Sequence, residues 1–516
     1  MKKATGNRYL IAGTLLVVLS TFSNKVFSQD ENDALRYSFL MPGGTARSMG
    51  FGSALGSVGG DFTTLSVNPA GIGIYRRSEI MFTPSLKLNN VEGNYLMESD
   101  DDHYTRFNFN NAGVIFSRAE RGKRYEKSNW KAVSFGFGFN RLADFNRSYS
   151  YGGLMQGPLN SNTHSSFSEV FVADANADPA NATTAGTLAN LGYESFLINP
   201  DSTFSGFSTL ANWETGLNQL RAVQERGGVH EILFSLGGNY KEKIMIGATL
   251  GLPSLRYTNE RFFEEADASG DPDNDFESFR YRESLSTTGR GVNLKLGVIV
   301  KPSDAFRFGV AIHTPTWWYR MSEVYNSSLT TNTENFKSVI NPSDINPITV
   351  VDAPENRFEY SLTTPWRGIL SGTVMMGQYG FITADYEYVD YKSMRYNFDN
   401  EFTLAESARN RVIKNTFQGA SNFRIGIEGR MDNIFLRGGF GYYDNPYKSG
   451  DYDFSRMNIS AGLGYRTGNF FTDLAFVHTF YKEFETPYTL PAPVVTPSAR
   501  LNNRLNNLAL TIGWKM

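Results

Sequence analysis

Strict alternation of apolar and polar residues is the feature that most limits what this chain can fold into. Leu508, Leu510, Ile512, Trp514 and Met516 alternate with Ala509, Thr511, Gly513 and Lys515. Val133, Phe135, Phe137 and Phe139 alternate with Ser134, Gly136 and Gly138, and Val292, Leu294, Leu296, Val298 and Val300 repeat the pattern. A period of two places successive side chains on opposite faces of a strand. One such strand also fits the half-buried strand of a soluble protein. The same pattern recurs at Ile232–Leu236, Ile244–Leu252, Phe306–Ile312, Ile382–Tyr388, Phe423–Ile427, Ile434–Leu436, Met457–Leu463 and Leu474–Phe476.

Targeting and membrane insertion follow from the head of the chain. Lys2, Lys3 and Arg8 precede an apolar run from Tyr9 to Leu19, and Val26 and Ser28 are small enough for a processing site. Residues 1–28 are therefore expected to be a secretory signal, with cleavage after Ser28. Beyond it no uninterrupted apolar run reaches the roughly 18 residues of a spanning helix, so only a closed barrel would place this chain in a bilayer. The chain has no cysteine. Disulfides, thiolate metal sites and lipid attachment at an N-terminal Cys are thus excluded. A net charge of −3 gives no support to nucleic-acid binding.

The alternation predicts about fourteen strands, near 79–91, 104–118, 130–148, 228–240, 243–257, 290–300, 304–319, 362–376, 379–394, 420–430, 433–444, 455–466, 469–484 and 503–516. Most approach the ~9–11 residues that cross a bilayer at a tilt. Connections at 241–243, 301–304, 377–380, 431–433 and 467–469 are tight, while those at 149–227, 258–289, 320–361, 395–419 and 485–502 are long. Short periplasmic turns and long external loops characterise outer-membrane barrels; a soluble sandwich has no reason to segregate loop lengths. The expected class is all-β, a transmembrane antiparallel β-barrel of about 14 strands. The expected domains are the signal, residues 29–78 as a plug of the periplasmic end, and residues 79–516 as the barrel. Its surroundings would be the outer membrane of a Gram-negative bacterium, with lipopolysaccharide and phospholipid against the wall. The C-terminal strand resembles the barrel signal that commonly closes on Phe, here Met516, implying the barrel-assembly machinery as a partner. Within the 149–227 loop, Thr209 to Glu225 is expected to hold one helix.

The candidate chemistry is sparse. Gly50-Phe51-Gly52-Ser53-Ala54-Leu55-Gly56 misses the dinucleotide spacing and lies in no βαβ unit. Asp271-Pro272-Asp273-Asn274-Asp275 looks like a calcium loop, but Phe276 and Arg282 occupy the places of its glycine and its final Glu. His103, His164, His230, His313 and His478 show no metal spacing, and His313 shares the predicted lumen face with Arg307. Asp385 and Glu387 fit a polar lumen wall as well as acid–base work. No catalytic residue, metal site or cofactor is expected.

Between the signal and the first strand lies a glycine-laden stretch. It runs from Gly43 and Gly44 to Asn68-Pro69-Ala70-Gly71, then Ile72, Gly73 and Tyr75. It resembles the N-terminal hatch of the FadL/TodX family of outer-membrane transport proteins. Gly291–Pro315, Phe471–Phe476 and Thr364-Pro365-Trp366 are also similar to that family. The resemblance implies a fourteen-stranded barrel, a hatch in its periplasmic end, and passage of long-chain fatty acids or other hydrophobic compounds. It also implies a third strand that kinks inward and opens a lateral exit. Phe139 to Phe145 occupies that position here. The family's glycine after an aromatic is replaced by Asn140 and Arg141, which marks Asn140, Arg141 and Leu142 as the candidate kink. Some relatives are described as hemin receptors, a label that the scattered histidines do not support.

Independently of the resemblance, Phe51, Leu55, Phe62, Leu65, Ile72 and Ile74 would block water and offer apolar contacts to cargo. Gly43, Gly44, Asn68, Pro69, Ala70 and Gly71 are expected to shape the hatch: Pro69 fixes one φ angle, and Asn68 bonds its neighbours. Arg47 and Arg307 face two uses, a ligand carboxylate or salt bridges to Asp385 or Glu387. The leading expectation is a passive transporter of hydrophobic small molecules. A surface receptor for hemin or a host ligand, acting through the long loops, is the alternative, and a rim enzyme is a third.

Overall fold

The computed structural model describes residues 30–41, 43–157, 165–201, 206–334, 347–449 and 453–516; the signal segment and His164 lie outside the described residues. From Glu31 to Met516 the chain forms one compact unit. Its barrel strands are β1 (Glu79–Tyr95), β2 (Glu98–Ala119), β3 (Trp130–Asp144 and Arg147–Met155), β4 (Leu217–Tyr240), β5 (Ile244–Asp267), β6 (Ser278–Val300) and β7 (Phe306–His313 and Trp317–Asn332). They continue as β8 (Asn356–Thr363 and Arg367–Met375), β9 (Gly380–Asp390), β10 (Gly419–Met431), β11 (Ile434–Tyr443), β12 (Arg456–Thr467), β13 (Phe470–Glu485) and β14 (Ala499–Lys515). Each pairs antiparallel with its sequence neighbours, and β1 pairs with β14 from Glu79↔Lys515 to Asn94↔Arg500, which closes the barrel.

The pleat sorts the side chains. On β6, Leu294, Leu296, Val298 and Val300 point outward and are exposed, while Asn293, Lys295 and Ile299 are buried inside. The outward apolar stretch from Val292 to Val300 is eight steps of about 3.3 Å, tilted by about 40°, giving a belt roughly 20 Å tall, near that of a bilayer-spanning barrel. Above it the same face turns polar at Arg290, Thr288 and Ser286.

The strands run well beyond this belt at the long-loop end, so several expected loops are strand instead. The 258–289 connection shrinks to residues 268–277 between β5 and β6. Most described residues of 320–361 belong to β7, β8 and a side strand, Ile348–Asp352, on the edge of β7. The helix expected over Thr209 to Glu225 is not formed: β4 begins at Leu217. Leu210, Leu217 and Leu220 mimic helical spacing, but the inward face of this strand carries buried Gln219, Arg221 and Glu225. The apolar rhythm misleads because the interior here is ion-paired.

Inside the barrel, α1 (Glu31–Ser38) stands in the long-loop half, and α2 (Ala46–Gly50) and α3 (Thr64–Val67) lie below it before a 3-10 turn, Pro69–Ile74. A short α4 (Lys123–Lys127) joins β2 to β3. In the β3–β4 connection, α5 (Ser168–Ala177) and α6 (Leu188–Glu194) pack Phe167, Phe171 and Leu191 onto Phe263, Phe279 and Tyr281 of the extended strands. This loop unit sits in the mouth. Between β9 and β10, α7 (Thr403–Thr416) covers another part of that end, with Ile413 in the core around α1.

Candidate functional site

The hatch is seated where the wall has no side chains. A Cβ on Gly247 would overlap the backbone of Pro69, one on Gly309 the carbonyl of Gly56, and one on Gly426 the carbonyl of Phe51. Hatch backbone and wall backbone therefore touch around the lumen. Asn68 fastens this seat. Its Oδ1 accepts from Ala70 N at 3.1 Å, capping the 3-10 turn that Pro69 opens, and its Nδ2 donates to the carbonyl of Gly56. Thr45 caps α2 by accepting from Ser48 N at 3.1 Å. Gly44 has φ +66°, a conformation that a side chain would strain. Gly71 bonds back to Gly60 at 3.1 Å.

Each apolar hatch residue has a wall partner. Phe51 meets Phe381 edge-on at 5.4 Å and clusters with Leu55, Val67 and Ile369. Phe62 and Ile72 pack with Leu65, Met81, Ile115 and Leu233, and Ile74 packs beside Met245 and Ile299. Phe51, Leu55, Phe62 and Ile72 are fully buried in these contacts.

The charged residues lock rather than wait. Arg47 forms a two-pronged pair with Glu428 (3.0 and 3.1 Å), and Glu428 also accepts from Arg437 at 2.6 Å. Arg307 donates to the carbonyl of Val58 at 2.7 Å. The expected pairing of these two arginines with Asp385 or Glu387 is thus corrected. Glu387 accepts from Arg367 and Arg424, each at 2.8 Å, and Asp385 accepts the backbone N–H of Gly56. The register explains the exchange, because Asp385 sits directly opposite Arg424 on β10. His313 faces inward and bonds the carbonyl of Val67 at 2.8 Å. Such buried networks fix position more than they stabilise, since desolvation offsets most of the attraction.

Above the hatch is a small cavity of about 50 Å³, bordered by Ser66, Leu142, Lys295, Arg367, Glu387 and Arg424. Lys295 is held by Glu231 at 2.6 Å. Among the described residues two nitrogens of the Arg424 guanidinium have no hydrogen-bond partner, although one lies 3.7 Å from Asp385. Over the cavity, α1 fills the lumen. Tyr37 packs among Tyr257, Trp318, Met321, Tyr360 and Tyr391, and Arg367 donates to the carbonyl of Ser38 at the helix end.

The wall departs from regularity between β2 and β3. Their pairing runs from Ala119↔Ala132 to Asn111↔Asn140 and ends there. β3 stays on β4, with a bulge at Leu142. Its second segment, Arg147–Met155, leans inward: Gly93 of β1 is so close that a Cβ would lie 2.7 Å from the carbonyl of Ser150. The vacated edge of β3 is taken by the first part of the hatch, where Met41 N donates to Leu142 O and Gly43 N to Arg141 O, both at 2.9 Å. Lys87, Asn108 and Asp144 meet across the fork at 2.9 Å, with Arg141 3.4 Å from the same carboxylate.

On the outer surface, at the foot of this fork, lies an apolar groove of about 700 Å³ lined by Ile80, Phe82, Ala112, Phe137, Phe139 and Trp514. The Ala112↔Phe139 pair is the one directly below Asn111↔Asn140. Gly113 and Gly138 form part of its floor, and the Phe62 ring presses on them from inside. Here the wall is one backbone thick.

Sequence reasoning named the hatch side chains and the Asn140–Leu142 segment but not Lys87, Asn108, Asp144, Lys295, Arg367 or Arg424, which stand beside them in the structure. All are inward polar residues on alternating strands, and nothing local distinguishes them from an ordinary lumen wall. Among the described residues no group of His, Asp and Glu could hold a metal ion.

No family model matches the sequence, and no curated protein does. Solved structures do match. A Pseudomonas aeruginosa FadL homologue superposes with a TM-score of 0.52 at 11% identity, covering 92% of this chain and 99% of that one. The Ralstonia pickettii toluene transporter TbuX gives 0.50 at 14%, covering 92% and 98%. The P. putida toluene transporter TodX gives 0.50 at 11%, covering 88% and 94%. At such identities the likeness speaks for the fold: this chain has the FadL/TodX-type architecture, a closed barrel of 14 antiparallel strands around an N-terminal plug.

Proposed function

We propose that this protein is a passive channel of the Gram-negative outer membrane for hydrophobic compounds, long-chain fatty acids among them, and that cargo leaves sideways through the β2–β3 fork. The observation that carries the reading is the end of β2–β3 pairing at Asn111↔Asn140, directly above an apolar groove on the lipid-facing wall. A barrel that only plugs a membrane has no use for such a break, because unpaired backbone in lipid is costly. The toluene transporters among the similar folds support the cargo class.

Cargo would enter past the loop unit, displace α1 from its aromatic bed, and contact Phe51, Leu55, Phe62, Ile72 and Ile74 as the hatch shifts. Arg424 or Arg307 would meet a carboxylate if the cargo bears one. Gly43, Gly44, Asn68, Pro69, Ala70 and Gly71 would keep the plug's shape, and Asn140, Arg141 and Leu142 would form the exit's edge. Residues 29–78 act as the hatch, and the final strand addresses the chain to the barrel-assembly machinery. No catalysis is assigned.

The test uses the cysteine-free background. In N108C/D144C the new thiols replace side chains that meet at 2.9 Å. Uptake of labelled oleate and of toluene is measured in cells lacking other such channels. The oxidised pair is expected to take up about tenfold less than the reduced pair. Equal uptake by both forms rejects the lateral exit. Small-sugar flux without oleate or toluene uptake rejects the channel reading altogether.

A further inference from the structure

The outward face of β4 to β7 changes character immediately above the apolar belt. Arg290 on β6 stands opposite Ser254 of β5 and Tyr319 of β7, and His230 of β4 pairs with the same Ser254. Arg256, opposite Thr288, lies one outward row higher. Opposed strands place Arg256 and Arg290 as diagonal neighbours, roughly 7–8 Å apart. Arg320 joins them by an irregularity: β7 bulges between Tyr319 and Ser322, and Arg320 takes φ +67°. Bulges re-aim side chains, and both Tyr319 and Arg320 are exposed.

Several cations on the same strands and on the opposite wall, by contrast, are paired. Arg261 and Arg280, on the same strands, are held by Glu283 and Glu264. Arg504, at a similar height on the opposite wall, pairs with Glu92 at 3.6 Å. Among the described residues Arg256, Arg290 and Arg320 have no carboxylate partner. The nearest outward acids are Glu260, four residues along β5, and Glu359, opposite Ser322 on β8. The intervening positions are hydroxyls: Ser254, Thr258, Ser286, Thr288 and Ser322. Trp317 and Tyr319, both exposed, mark the top of the belt beside them.

We propose that Arg256, Arg290 and Arg320 form a docking site for the phosphate groups of the phosphorylated glycolipid of the outer leaflet, the lipid A part of lipopolysaccharide. Guanidinium forks match phosphate in geometry and charge. The hydroxyl rows suit a saccharide, which a glycerophospholipid lacks, and the belt beneath receives the acyl chains. The proposal rests on the outer-membrane placement above, not on the cargo or the lateral exit.

The experiment is native mass spectrometry of the full barrel in detergent, titrated separately with bis-phosphorylated lipid A, dephosphorylated lipid A and phosphatidylglycerol. The wild type is expected to bind bis-phosphorylated lipid A about tenfold more tightly than either other lipid, and R256A/R290A/R320A to lose that preference. The three side chains are exposed, so the variant should keep the heat-modifiable gel shift of a folded barrel. If it does not, R256A and R290A alone are each expected to weaken binding by about threefold. Equal binding of the three lipids overturns the proposal, as does undiminished preference in the folded triple variant or in both single variants. Oleate and toluene uptake are measured in parallel: lost lipid A preference with normal uptake bears on this site alone, and lost uptake in N108C/D144C bears on the exit alone.

Discussion

The walls on either side of β3 and β4 are built from the same alternating residues and do opposite things. β4 and β5 stay paired from Leu217↔Asp267 to Tyr240↔Ile244, through the belt and far above it. β2 and β3 part at Asn111↔Asn140, within the barrel wall. The hatch meets the two walls differently as well. Against the continuous wall it lies backbone to backbone, at Pro69 on Gly247 and at Gly73, where a Cβ would be 2.6 Å from the carbonyl of Gly238. Against the forked wall it packs the buried Phe62 ring onto Gly113 and Gly138, and Met41 and Gly43 bond the free edge of β3. The plug thus meets one wall through close-packed backbone and the other through a ring and two edge hydrogen bonds.

The largest test of this asymmetry is Gly247→Val. The added side chain meets backbone that cannot yield, so a loss of about 3 kcal/mol or more is expected, read as failure to reach the heat-modifiable folded form. Gly372→Val meets nothing within 4 Å and should fold normally. Equal behaviour of the two would remove the anchored side of the comparison.

Next in size is a pH effect on the mouth. Glu265, above the belt on β5, is fully buried, and burial pushes its carboxyl up to about 7 despite donors from Ser166, Phe167 N and Gln219. The folded value lies above the unfolded one. Its contribution is therefore complete below about pH 4.5 and lost as pH rises through about 7, a change of about 3 kcal/mol. Hydrogen exchange in residues 165–201, corrected for its intrinsic base catalysis, should accelerate between about pH 4.5 and 7, and Glu265→Gln should flatten that response. The fork, which lacks this residue, should show no matching change.

Asp144→Asn probes the fork itself. Lys87 and Arg141 would lose their shared carboxylate, at a cost of about 2 kcal/mol. A lowered melting temperature with faster oleate uptake is the expected pair of readings; slower uptake would mean that the network orders the exit instead of holding it shut. The smallest effect belongs to Arg280→Ala. Its pair with Glu264 is part-exposed on the continuous wall, and its removal should change stability by about 0.5 kcal/mol or less, measured by thermal melting.

What could be read from the sequence follows the solvent. Within the belt, lipid outside and hatch inside enforce one apolar face, and the strands at Val292–Val300 or Phe135–Phe139 are visible at once. The inward glycines of Phe135-Gly136-Phe137-Gly138-Phe139 were visible too, although not what pressed on them. Above the belt both faces of a strand meet water or ion pairs. Gln219, Arg221 and Glu225 point inward there, so alternation disappears and β4 looked like loop and helix. The charged partners inside could not be assigned, because Arg47 finds Glu428 across 381 residues of chain through a register that only the closed barrel fixes. The aromatic bed of α1 was equally hidden: Tyr37, Tyr257, Trp318 and Tyr360 come from four separate segments.

The strand edge at Arg141 and Leu142 is covered by Met41 and Gly43, a few residues from the anchored α2. That cover is a tethered part of the same chain. A short tether keeps such a segment at an effective concentration in the millimolar range beside its docking edge. If cargo leaves by this edge as proposed, reclosure is a unimolecular event, independent of protein abundance. On that reading, the tether itself supplies the closing step, and the direction of flow follows the cargo gradient.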